Sequence, residues 1–242
     1  ALLEQTTTPS VEHQILLQQM RLCSGVPINS ILNECSKLNQ HKSIENEQSQ
    51  AFSSTLTQLC RKLIDNSVVT VQPESPNDDF YSLFHAFYTQ DLTQWERLKF
   101  SAKDIENATP SHFIAIEANF ICLVMQIQSL ELHQNSLLIN RKIEAELARF
   151  EIWAQQCPEN FAAPFALAKA IYASKSQSLS QASMLFEQAL NLLNQSGYLH
   201  HLIIAYRYYA KLLESDKPHL SMLCEQHHQA LYNRWIAVEI SD

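Results

Sequence analysis

Apolar positions recur at helical spacing along almost the whole chain. Phe52, Leu56, Leu59, Cys60, Leu63 and Ile64 fall at offsets 0, 4, 7, 8, 11 and 12, one face of a helix and incompatible with strand alternation. The same spacing joins Ile15, Leu16, Met20 and Cys23; Tyr81, Phe84, His85 and Tyr88; and Trp95, Leu98 and Ile105. Phe113, Ile116, Phe120, Leu123, Val124, Ile127 and Leu130 form the most continuous stripe and predict a central helix. Further stripes are Leu138, Ile139, Ile143, Leu147, Phe150 and Trp153; Phe165, Leu167, Ala168, Ile171 and Tyr172; and Ala182, Phe186 and Ala189. Residues 199–214 and 220–238 close the series.

Helix breakers and polar stretches separate these stripes. Gly25, Val26 and Pro27 end the first helix, which Ser10 can cap, and Asn29 or Ser30 restarts the chain. Residues 39–50 are polar and read as a loop. Residues 67–76 carry β-branched Val68, Val69, Thr70 and Val71 and then two prolines, the pattern of an extended linker. Asn77 is expected to cap the next helix, with Asp78 and Asp79 in its first turn where negative charge suits the helix dipole. Residues 91–94 (DLTQ) resemble a capping box, and Pro110 suits a first helical position. The stretch 153–161, WAQQCPENF, ends one helix and begins another. Pro158 lacks the backbone donor, Cys157 before it is biased out of the helical region, and Asn160 is expected to cap the second of the two helices. That reads as a stop, a three-residue turn and a start. A polar loop at 174–180, Gly197 and Pro218 punctuate the rest.

The expectation is an all-α chain of about eleven antiparallel helices with a period near 35–40 residues, stacked as hairpins in an α-solenoid. It divides into an N-terminal helical sub-bundle (1–66), the linker (67–76) and helical repeats (77–242). Composition supports this. Only Gly25 and Gly197 are glycine, where ordinary usage gives about seventeen. Tight β-turns and phosphate-cradling loops are therefore starved of the residue they need. Hydrophobic residues at 46% supply a sizeable core. The net charge of −8, with 17 basic residues dispersed along the chain, argues against a nucleic-acid surface or docking on anionic lipid. The longest apolar run, 118–125, is too short to span a bilayer. Six cysteines form no CxxC pair and sit mostly in apolar stripes, as reduced buried thiols of a cytoplasmic protein would.

Candidate chemistry is sparse. Cys157 stands where a helix dipole can lower a thiol pKa, although a small residue packed in a turn explains it as well. His219, Cys224, His227 and His228 form a metal-like cluster, with His200 and His201 on the preceding helix. Zinc needs three or four converging ligands, and consecutive helical histidines point about 100° apart. The cluster therefore reads as solvated or hydrogen-bonded histidines. Trp95, Trp153 and Trp235 lie on apolar stripes and read as core rather than interface anchors. Glu144, Glu146, Asp78 and Asp79 read as solvated charges. No P-loop, kinase catalytic loop or Gly-rich nucleotide box is present. No catalytic, cofactor-binding or metal residue is assigned on these grounds, and no cofactor is expected.

Several segments in order carry a family likeness: WAQQCPENF, then QASMLFEQALNLLNQSGY with its small-aromatic-small pattern, AYRYYAKLL and HQALYNRWIAVEI. Together they resemble the tetratricopeptide-like helical region of bacterial multi-domain signalling proteins. There the region follows a serine/threonine-kinase-like domain and an AAA-type ATPase, and precedes a GAF sensor and a histidine kinase. The likeness is strongest over 153–238, and weaker over 79–129 and LLQQMRLCSGVPINSILNECSKL. That family ends the region with Tyr, then Trp-Gly-Ala; here Tyr232 and Trp235 are present and Ile236 replaces the Gly. The resemblance implies a non-catalytic regulatory or scaffold module, contacting protein partners or neighbouring domains of the same polypeptide. The alternative is an effector-sensing solenoid of an ATPase-type transcription activator.

Overall fold

The structure is a computed structural model that describes residues 11–40, 47–65, 76–90, 98, 113–130 and 137–236. Among the described residues it is all-helical, with ten helices against about eleven expected. These are α1 (Val11–Cys23), α2 (Ile28–Gln40), α3 (Glu47–Asp65), α4 (Pro76–Thr89), α5 (Phe113–Ser129), α6 (Leu137–Gln156), α7 (Pro158–Ser176), α8 (Leu179–Ser196), α9 (Leu199–Leu213) and α10 (Pro218–Ile236). The helix expected through Trp95 and Ile105 lies outside the described residues, apart from helical, buried Leu98. So do the capping box at 91–94, Pro110 and nearly all of the linker.

From α6 to α10 each helix packs on the next, and α7 also touches α9. Offsets 0, 4 and 7 in α8 make this close: Ala182, Phe186 and Ala189 are all fully buried. The alanines admit the neighbouring backbone, while Phe186 stacks on Tyr209 of α9 with ring centroids 5.1 Å apart. Ser178 caps α8 by accepting from the Gln181 amide, and Gly197 closes it in the left-handed region at φ 76°.

α1 to α4 form the other side. α2 pairs with α3, α3 with α4, and both α1 and α4 contact α5. As its stripe predicts, α5 is central, with eleven of its residues buried. α1 ends in a Schellman turn: the Val26 amide donates to the Arg21 carbonyl and the Gly25 amide to that of Leu22. α10 then returns to the first half. Asn29 of α2 donates to the Ile236 carbonyl, and Tyr232 donates to Leu63 at 3.4 Å. Trp235 is fully buried on Tyr88 and Phe84 of α4. One continuous core therefore runs from Leu22 to Trp235.

Two local expectations are corrected. There is no three-residue turn at 158–160, because α7 starts at Pro158 and Cys157 alone separates it from α6. Proline is pre-set for the first helical position, where a missing amide costs nothing. Asn160 accordingly lies inside the first turn, and its side chain donates to Cys157 Sγ at 3.2 Å instead of capping the helix. For the same reason α4 begins at Pro76, so Asn77 is helical rather than a cap.

Candidate functional site

Glu117 is the only charged residue of α5, a helix otherwise built from apolar and neutral polar side chains. It is 5% exposed, and burying a carboxylate without partners is prohibitive. Its partners come from 83 and 84 residues away. His200 and His201 occupy the first turn of α9, fully buried and 1% exposed respectively. Glu117 Oε1 lies 3.2 Å from His201 Nε2 and 3.6 Å from His200 Nε2. The positive end of the α9 dipole adds to this field.

The two imidazoles lie with ring centroids 4.1 Å apart, held by an aromatic bed. Phe120 and Tyr198 pack on His201 at 4.4 and 5.5 Å, and Tyr88 and Trp235 on His200 at 6.2 and 6.5 Å. Behind His200 stands the α1–α2 turn. A Cβ on Gly25 would lie 2.6 Å from His200 Nδ1 and 2.9 Å from the Leu199 and His200 amide nitrogens. With φ at 78° as well, the position requires glycine twice over.

Charge follows from this packing. Burial pushes the Glu117 carboxyl up, but His201 and His200 beside it outweigh that and hold it down at about 2. Burial, reinforced by His201, pushes His200 down to about 4 against the pull of Glu117. The carboxylate is thus ionised and His200 neutral near neutrality.

Glu117 and His201 form the floor of a cleft of about 280 Å³ between α1, α5, α7 and the start of α9. Its walls include Met20, Phe113, Phe161 and Tyr198. Pro164 also lines it and cannot donate the helical hydrogen bond that the Asn160 carbonyl would otherwise accept. Cys23 reaches the same cleft, but burial and the Glu117 charge push its thiol well above the usual range, so it is no thiolate.

The residues singled out from sequence do not assemble in this way. His228 is hydrogen-bonded, Nδ1 to the Ile203 carbonyl at 2.9 Å and Nε2 to Arg207 at 3.4 Å. His227 stacks on Tyr206 at the surface, and His219 is exposed. Cys224 is buried, and its thiol is raised by burial. Cys157 is half-buried with Asn160 and Glu159 around its sulfur. All six cysteines are free. Trp235 is core, Trp153 packs at its edge beneath Arg149 at 4.8 Å, and Trp95 is outside the described residues. Glu144 accepts from Tyr172, and Glu146 pairs with Arg149 at 2.8 Å. Asp79 is half-buried in the first turns of α4.

Among the described residues, the group that brings three metal-type donors together is Glu117, His200 and His201, with all donor atoms within 4.8 Å of one another. Sequence reasoning passed over it. Two signals pointed to it: a lone acid in the most apolar helix, and paired histidines opening another. No described helix is long and apolar enough to cross a membrane. No family model, curated protein or solved structure matches the chain.

Proposed function

We propose that this chain is a non-catalytic regulatory or scaffold module of a signal-transduction protein, a tetratricopeptide-like solenoid whose cleft receives a segment of a partner or neighbouring domain. The observation that carries this reading is the cleft itself. It lies where α1 and α5 meet the hairpin series α6–α10, with apolar walls and a half-exposed Met20 at its edge. The sequential packing of α6 to α10 supports the repeat reading. The net charge of −8 favours a basic segment carrying one apolar anchor.

Selection from a random peptide display library tests this. Basic peptides with an apolar anchor should be enriched, and Met20→Arg at the cleft edge should weaken them by about tenfold or more, the scale of a lost hot spot. Peptides that bind wild type and variant equally would place recognition elsewhere and end the reading. The cleft volume, about 280 Å³ and so close to the lower end of small-molecule pockets at about 300 Å³, leaves room for a second one, a small effector as ligand. In that case metabolites would raise the thermal midpoint and no peptide would be enriched.

A further inference from the structure

We propose that Glu117, His200 and His201 form a three-ligand site for a divalent transition-metal ion of the zinc class. Its three protein donors do not depend on what the cleft above it binds. Two imidazole nitrogens and one carboxylate oxygen are the donor set that borderline divalent ions take. Donors about 2.0–2.1 Å from a tetrahedral zinc stand about 3.3–3.4 Å from one another. The Glu117–His201 and Glu117–His200 separations, 3.2 and 3.6 Å, bracket that spacing. The carboxylate thus stands at ligation spacing from both imidazoles, and all three donor atoms lie within 4.8 Å of one another.

Among the described residues these groups are not all satisfied. Both ring nitrogens of His200 and Nδ1 of His201 are buried without a hydrogen-bond partner among the described residues. Such orphans are rare in folded proteins and costly. An ion would engage His200 Nε2, which the carboxylate only approaches. The rings are also fixed in place, His200 by the Gly25 turn and Trp235, His201 by Phe120. Little ordering remains to oppose binding.

Access and charge set the rest of the coordination sphere. Glu117 and His201 line the cleft, so a fourth position is reachable from solvent. One carboxylate leaves a dication with net positive charge beside the positive end of α9. The fourth ligand is therefore anionic, such as hydroxide or a small carboxylate. Among the described residues neither Nδ1 has a hydrogen-bond acceptor behind it, and such support is worth about 10–100-fold in affinity. Binding is accordingly expected to be micromolar, tighter with an added carboxylate anion than without.

The test is calorimetric titration of the chelator-stripped full chain with zinc, and the visible absorption of its cobalt(II) form. One ion per chain is expected, with a tetrahedral cobalt spectrum that changes on adding acetate. Glu117→Gln and His201→Gln should each weaken zinc by about tenfold or more, while the surface double variant His219→Gln/His227→Gln should bind as wild type does. Unchanged affinity in Glu117→Gln, or loss of binding in the surface variant, overturns the site. If the buried variants fail to fold, X-ray absorption of the zinc-loaded wild type decides. Two imidazoles with oxygen ligands support the proposal, and fewer than two imidazoles defeat it.

Discussion

The two glycines separate two physical requirements that usually come together. Both hold positive φ, 78° at Gly25 and 76° at Gly197. Around Gly197 an added Cβ meets nothing within 4 Å, whereas at Gly25 it meets the backbone of α9 and His200. Gly197→Ala should therefore cost about 1–2 kcal/mol, the penalty of a left-handed backbone alone. Gly25→Ala should cost about 2–5 kcal/mol, because an overpacked contact adds about 1–3 kcal/mol. Urea denaturation of both variants checks the difference, and equal losses would mean that the α1–α2 turn does not press on α9. Nothing in the residues 24–27 reveals that contact. A glycine before Val-Pro reads as a helix stop, and the second demand on it comes from residues 174 positions later or more.

At the scale of elements, most helices are legible because periodic burial is a local property. Stripes in α3 and α8 predict residues that are buried, Leu56, Leu59, Cys60 and Leu63 in the one and Ala182, Phe186 and Ala189 in the other, whereas α5 is buried on nearly every side and its stripe members Phe113 and Ile116 are only half-buried. Helix starts are harder where proline is involved: a residue type that ends helices also opens them without loss, as Pro158 does for α7 and Pro76 for α4. The Glu117 site was hidden by distance and by a rule applied too broadly. Consecutive histidines diverge along a helix, yet in the first turn of α9 both rings bring Nε2 near one carboxylate oxygen.

The pairing of α9 with α10 has a pH dependence of its own. His228 Nδ1 donates to Ile203, leaving Nε2 to accept from Arg207, so the ring is needed neutral. Burial first, then Arg207, lowers its pKa below the ordinary 6.5, against Ile203 and Glu225; Tyr232 packs alongside. The folded state thus refuses a proton that the unfolded chain accepts. The stabilisation is fully present above about 6.5 and is lost as pH falls from there toward the lower folded value. In chelator, the stability difference between wild type and His228→Gln should be largest near pH 8 and shrink toward pH 5. A difference constant over that range would show that the imidazole is not held neutral.

Over the whole molecule, the continuous core makes α10 a structural member of both halves. Trp235 is a residue of α10 buried on α4. Trp235→Ala should cost about 3–5 kcal/mol and lower hydrogen-exchange protection in α2–α4 as well as in α9. Protection lost in α9 alone would mean that the halves unfold separately. The expected division at 67–76 came from the prolines and β-branched run there, a feature of chain direction. Which helices share a core depends instead on pairs far apart in sequence, such as Asn29 and Ile236.

That closure also has a place in time. Asn29 must wait for Ile236, 207 residues later, and at ~5–20 residues per second of synthesis the delay is on the order of 10–40 s. From the synthesis of Tyr88 onward, the slot on Phe84 and Tyr88 lacks its tryptophan until Trp235 follows. On the ribosome the chain carries an open aromatic face until α10 has emerged, and a chaperone that shields such faces has that interval in which to act.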